Sequence, residues 1–288
     1  MKREIIIGSR RSPLALAQAY LAQKKLQKVY PLCKVVIKEF VTQGDKKLSW
    51  SLEKTGGKGL FTSELEAALV AGTIDVAVHS GKDLPTDLAA GTVVAGCLPR
   101  ACARDVLVVR TGTEAIKTIA TGSPRRRGQL KKMFPQATFQ ELRGNVETRL
   151  RKIADEHVAD ATVLAAAGLK RLGIREFPGV EFKMLPVEKC VPAAGQALIA
   201  LQCRAEDKAF FAKAVVRSGT HAFSVERAFL SALGAGCHTA FAAYYSRGNL
   251  LLFHEDFGLI RQKIAFPQSE EKIREKVKKI LDKLFLRK

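Results

Sequence analysis

The stretch EIIIGSRRSPLALAQAYL, residues 4–21, decides the fold. Its first half is β-branched and closes on Gly8, the pattern of a short buried strand. In its second half Ser12 serves as a helix N-cap with Pro13 at the first helical position. Leu14, Ala17 and Leu21 then recur at helical spacing, so a strand feeds directly into a helix. The alternation continues outward. KVVIKEFV (34–41), DVAVH (75–79), TVVAGC (92–97) and DVLVVR (105–110) read as strands, and Leu60–Ala71 as a helix. Runs of this kind predict an α/β architecture with mainly parallel strands.

A second unit of the same kind starts near residue 103. Within it Ser123 caps a helix beginning at Pro124, Ala161–Ala165 reads as a buried strand followed by a short helix, and Gly144-Asn145 marks a strand-to-helix turn. The remainder changes character. Phe223–Leu233 is helical, Ala240–Tyr245 and Leu250–His254 form a hairpin across Ser246–Asn249, and Leu259–Phe266 adds a strand. Ser269, Glu270 and Glu271 open a last helix whose Ile273, Val277, Ile280, Leu281 and Leu284 share one face. This part reads as a small α+β domain. Between the first elements, Thr42–Gly59 has no periodic pattern, and long loops of that kind often cover active sites.

With 288 residues the chain exceeds the size at which one core stops growing, and two or three domains are expected. Its 47% hydrophobic and 26% charged residues suit a globular protein. No apolar run approaches the roughly 20 residues that span a bilayer, so neither a membrane segment nor a signal peptide is expected. The cysteines at 33, 97, 102, 190, 203 and 237 form no CxxC pair, which suits free thiols in the cytoplasm. Neither an HExxH motif nor a phosphate-binding or dinucleotide-binding glycine fingerprint occurs, so no metal or nucleotide is expected.

The net charge of +20 points to an anionic partner: nucleic acid, a membrane surface or a polyanionic small molecule. The arginines are placed as well as numerous. Arg10 and Arg11 precede one helix, Arg125, Arg126 and Arg127 open another, and Arg143 and Arg149 straddle Gly144-Asn145. Helix N-termini favour anions, and guanidinium forks grip carboxylates or phosphates in bidentate fashion. Nucleic acid would suit them too, but one Trp, four Tyr and no recognised binding signature give that reading no support. Asp83 follows Lys82 just beyond the strand ending at His79, at the sheet edge where ligands of such folds bind. Cys237, in GAGCHTAF (234–241), lies in a glycine-flanked turn and not on an apolar face, as a reactive or a structural thiol. Three readings stay open on these residues: an enzyme of polycarboxylates, a non-catalytic anion-binding module, and a nucleic-acid binder.

The chain closely resembles the porphobilinogen deaminase family. The resemblance rests on GSRRSPLALAQA (8–19), TQGD (42–45), GGKGLFTSELEAAL (56–69), DVAVHSGKDLPT (75–86), GSPRRRGQL (122–130), LRGNVETRL (142–150), AAGLKRLG (166–173), GQALIALQCR (195–204) and GAGC (234–237), in order and in register. It implies two α/β domains similar to periplasmic binding proteins around a cleft, plus a small α+β C-terminal domain. On that pattern residues 1–98 and 193–215 form the first domain, 102–188 the second and 218–288 the third. It implies a dipyrromethane cofactor joined by a thioether to Cys237, porphobilinogen as substrate, loss of ammonia at each of four head-to-tail additions, and hydrolysis to hydroxymethylbilane. Asp83 matches the catalytic carboxylate. Lys82, Ser123, Arg125, Arg126 and Arg143 match positions that hold cofactor carboxylates, and Arg10, Ser12, Arg149 and Arg171 positions that hold substrate or the growing chain. Gln18 matches a residue at the site entrance. A monomer without nucleic-acid or membrane partners is implied, with Thr42–Gly59 as a loop near the cleft. The chain departs from the pattern at Ala240, where proline is usual, at Ala197, where glycine is usual, and at Gly81, where a bulkier residue is usual.

Overall fold

The computed structural model describes residues 4–42, 62–234 and 240–285. Thr42–Gly59, apart from its first residue, and Cys237 lie outside the described residues.

The first sheet is built from β1 (Glu4–Arg10), β2 (Lys34–Phe40), β3 (Val76–Ser80), β4 (Thr92–Cys97) and the late β10 (Ile199–Arg204), in the order β2-β1-β3-β10-β4. α1 (Pro13–Val29) starts where Ser12 Oγ accepts the Ala15 N–H at 3.4 Å, with Pro13 inside the first turn. It lays Ala19, Ala22 and Leu26 against Ile5, Ile7, Val35 and Val78. Ile5, Ile7 and Leu26 are fully buried, each worth about 1.5–3 kcal/mol of apolar transfer. On the other face α2 (Ser63–Val70) packs Leu65 and Leu69 with Ile74 and Ala77.

The second sheet repeats this arrangement with β5 (Asp105–Arg110), β6 (Thr118–Ala120), β7 (Thr138–Gln140), β8 (Ala161–Ala165) and β9 (Val180–Met184), in the order β7-β6-β8-β5-β9. Its helices are α3 (Pro124–Met133), α4 (Val146–Ala154) and α5 (Ala166–Arg171). Ser123 caps α3 by accepting the Arg126 N–H, and Asn145 caps α4 by accepting the Thr148 N–H at 2.8 Å. After β10 come the short α6 (Lys208–Ala212) and α7 (Arg217–Ala232). The last part joins α7 to the antiparallel β11 (Phe241–Ser246), β12 (Asn249–His254) and β13 (Gly258–Lys263), and to α8 (Glu270–Phe285). Arg247 and Gly248 turn the hairpin with φ of 47° and 80°, the positive pair that a tight two-residue β-turn needs. Val225, Phe229, Leu250, Leu252, Ile273 and Val277 fill this core.

Both larger sheets are mixed, not mainly parallel. β1 runs parallel to β2 and β3, but β10 is antiparallel to β3 and β4. Likewise β6 is parallel to β7 and β8, while β5 is antiparallel to β8 and β9. In the first sheet the reason is topological: β10 returns only after the second sheet is complete, and enters reversed.

Candidate active site

Sheet direction brings the chemistry-bearing residues to two facing edges. β1 and β3 are parallel, so Arg10 and Ser12 beyond one and Lys82 and Asp83 beyond the other share an edge. In the second sheet β5 opposes β8, pairing Asp105 with Ala165. Asp105 therefore lies beside Ser123, Arg125 and Arg126, which follow β6, and near α5, which ends in Arg171.

Asp83 closes a single 3-10 turn, Gly81–Asp83, and is exposed. It lines a recess of about 60 Å³, room for about two waters, together with Arg10, Ser12, Gln18, His79 and Ser80. Gln18, 2% exposed, donates from Nε2 to Ser80 Oγ at 2.8 Å and fixes the end of β3 against α1. Burial pushes the His79 imidazole down to about 4, a hydrogen bond with Gln202 opposing and Arg10 and Arg227 assisting, so it is neutral near pH 7. A larger cavity of about 440 Å³ lies on the third sheet, but Arg247, Asn249, Arg261 and Lys263 on its wall are exposed, and the described residues bring no predicted site residue to it.

Across the cleft the centre is Asp105, fully buried and not anticipated from sequence. Arg125 Nη2 donates to its Oδ2 and Arg126 Nη2 to its Oδ1, both at 2.8 Å, and Gln196 Nε2 donates to Oδ1 at 3.0 Å. Burial alone would raise this carboxyl; the two guanidinium groups overcome it and hold it well below the usual carboxylate range. Arg125 also donates to the Val191 carbonyl and Arg126 to that of Val163, each at 2.7 Å. Two predicted cofactor-binding arginines are thus partly spent on the fold. One positive charge of the trio remains uncompensated, and Arg126 Nε is buried without a hydrogen bond.

The two edges feel each other. Burial lowers the Lys82 ammonium, Arg126 and Arg125 act in the same direction, and Asp83 and Asp105 oppose. Burial, then Arg126 and Arg143, lower Arg149 to about 10, with Asp83 opposing. Arg149 Nε donates to the Gly144 carbonyl at 2.8 Å and Arg143 Nε to Glu141 Oε2 at 3.1 Å. Arg171, lowered to about 10 by burial, donates to the Ala197 carbonyl at 2.7 Å. Cations outnumber carboxylates throughout the cluster, which equips it for a ligand bearing several carboxylates.

A second unanticipated junction ties the units together. Glu226, fully buried on α7, takes both Arg100 Nη groups at 2.7 Å and accepts the Gly195 and Tyr245 N–H groups at 2.7 and 2.8 Å. The only cue in sequence was a Glu on the buried stripe of a helix, which a polar surface position would also produce.

Residues 5–212 match the family model described as "Porphobilinogen deaminase, dipyromethane cofactor binding domain". The porphobilinogen deaminase of Listeria monocytogenes serotype 4a is 40% identical over 259 residues, covering 86% of this chain and 83% of that protein. The Bacillus subtilis porphobilinogen deaminase is 41% identical over 253 residues, covering 85% and 79%. Among solved structures, the BvgS VFT2 domain of Bordetella pertussis aligns with a TM-score of 0.45 at 18% identity, covering 74% of this chain and 86% of that one. The periplasmic aliphatic sulphonate binding protein SsuA of Escherichia coli aligns at 0.45 and 17%, covering 81% and 71%.

Proposed function

The chain belongs to the porphobilinogen deaminase family, and on that premise we propose which of its residues carry the reaction. It is a transferase that condenses four porphobilinogen molecules head to tail with loss of ammonia and hydrolyses the product to hydroxymethylbilane. Its dipyrromethane cofactor, when bound, supplies the free ring carbon on which the chain grows.

The observation that carries the assignment is the recess where Asp83 meets Arg10, Ser12 and Gln18, faced by the Asp105 cluster. Asp83 accepts a pyrrole N–H and stabilises the positive charge that develops as ammonia leaves; the same carboxylate passes a proton. Arg10, Ser12, Arg149 and Arg171 hold the acetate and propionate arms of incoming and added rings, and Gln18 orders the mouth of the recess. Lys82, Ser123, Arg125, Arg126 and Arg143 hold the cofactor carboxylates. The unpaired Arg126 Nε and the surplus of positive charge fit such a group. Cys237 is its anchor. Residues of the first α/β unit, 1–98 with 193–215, line the recess, and motion of the second unit, residues 102–188, about their two crossings opens the space beside it for a pyrrole with two acid arms. Residues 218–288 make the third unit. We further assign the protein to the cytoplasm, as a monomer that does not bind nucleic acid; among the described residues no helix is long and apolar enough to cross a membrane.

The test is intact mass with an Ehrlich-reagent colour reaction, on the purified chain and on Cys237→Ser. A mass excess of two linked pyrroles that vanishes in the variant is the expected result. A bare chain that stays bare after incubation with porphobilinogen would favour a non-catalytic anion-binding module.

A further inference from the structure

Helix α7 touches the Asp83 turn at two places one helical turn apart. Phe223 packs beside Gly81, where a Cβ would come within 3.1 Å of the Phe223 ring and 2.9 Å of the Gly195 carbonyl oxygen. Arg227, four residues on, lies over the Phe223 ring at 5.1 Å. It donates from Nη1 to the Leu84 carbonyl at 2.9 Å and from Nη2 to the Pro85 and Thr86 carbonyls at 2.5 and 3.1 Å. Leu84, 3% exposed, is buried with Phe223, Leu198 and Cys97. The turn that presents Asp83 is therefore held by Phe223 at its start and by Arg227 just past its end.

This arrangement is costly to maintain. Burial disfavours the Arg227 charge, Cys97, Asp87 and Glu270 opposing, and its hydrogen bonds go to carbonyls and not to a carboxylate. Three successive carbonyls converge on one planar fork, which an ammonium cannot reproduce. The neighbouring Glu226 fastens the same helix to Gly195, whose φ of 74° lets its backbone press against Gly81. In sequence, α7 ends at Ala232 and Cys237 follows shortly after.

We propose that Arg227 is a positioning residue for Asp83: by clamping the Leu84–Thr86 carbonyls it fixes where the carboxylate points, and so ties that aim to the helix leading into the cofactor-bearing segment. The inference rests on the role given above to Asp83. The Asp83 carboxylate is exposed and otherwise carried by a short turn, and a displacement of about 1 Å at a reacting group can cost up to about 10²-fold in rate.

The experiment is a double-mutant cycle on the holoenzyme with Arg227→Lys and Asp83→Asn, each variant first shown to carry its cofactor by Ehrlich colour. Arg227→Lys is expected to lower kcat about tenfold with KM little changed, and to speed amide hydrogen exchange across residues 81–90. In the double variant kcat should equal that of Asp83→Asn within about twofold, because a misaimed group that is already disabled loses nothing more. A double variant whose losses multiply shows an effect independent of Asp83 and overturns the proposal. So does normal kcat, or unchanged exchange across 81–90, in Arg227→Lys. Intact turnover in Asp83→Asn alone would instead refute the role given to Asp83, which separates the two failures.

Discussion

Replacing Asp105 by Asn keeps the shape of the side chain and removes its charge from a site where it is fully buried. Two guanidinium groups at 2.8 Å then face a neutral amide, and one of them meets an NH2 donor in place of an acceptor oxygen. Breaking a buried ion pair from one side costs about 3–5 kcal/mol, against a total stability of about 5–15 kcal/mol for an ordinary domain. The natural control is Glu147→Gln, whose pair with Arg151 is solvent-exposed on both sides and follows the i,i+4 spacing of a helix surface. That change should cost no more than about 0.5 kcal/mol. Urea titrations followed by far-ultraviolet circular dichroism at pH 7 compare the two directly. A loss under about 1 kcal/mol in Asp105→Asn, or equal losses in both variants, would show that Arg125 and Arg126 do not depend on Asp105.

Asp83→Asn should retain the fold and the cofactor but lower turnover at least about 10²-fold, read as ammonia or hydroxymethylbilane formed per chain; near-normal turnover refutes the assignment. Arg149→Ala, which would remove the charge-assisted carboxylate contact proposed for it, worth about 1.5–3 kcal/mol, should raise KM or lower holoenzyme yield by about ten- to a hundredfold, and unchanged values of both count against it. His79 titrates near about 4 in the fold and about 6.5 in the unfolded chain, so between these values the unfolded state binds more protons. Its contribution is therefore complete above pH 6.5 and falls on acidification by on the order of 3 kcal/mol by pH 4; a stability profile over that window that is the same in His79→Gln would contradict this.

Much of this was legible in the sequence because it is local. The Ser12 and Ser123 caps with their following prolines, and the strands Thr92–Cys97, Asp105–Arg110 and Ala161–Ala165, are set by neighbours along the chain. Of the recess residues, Arg10, Ser12 and Asp83 stood out at a helix start and a sheet edge, their roles and Gln18 came from the resemblance, and the fold gathers all four in one place. What stayed hidden depends on distant pairing. Thr118–Ala120 and Thr138–Gln140 are too short to show a period, and the direction of β10 depends on a partner strand more than a hundred residues earlier. Asp105, Glu226 and Arg227 are ordinary charged letters until tertiary structure buries them among their partners. Ala197 shows the converse. Its φ of 67° explains why glycine is usual there, and this chain carries the strain with its carbonyl gripped by Arg171.

The insertion of β10 between β3 and β4 sets an order on the birth of the molecule. While the ribosome has made only the first hundred or so residues, β3 presents an unpaired edge to the cell and β4 lacks its sheet partner. The strand that seals both is not synthesised until the whole second sheet has emerged. The N-terminal unit is thus the first to be started, yet it is finished only after the second. Folding of the nascent chain must hold an open sheet through the synthesis of residues 98–204, and mutations that slow the second unit should show up as aggregation of the first.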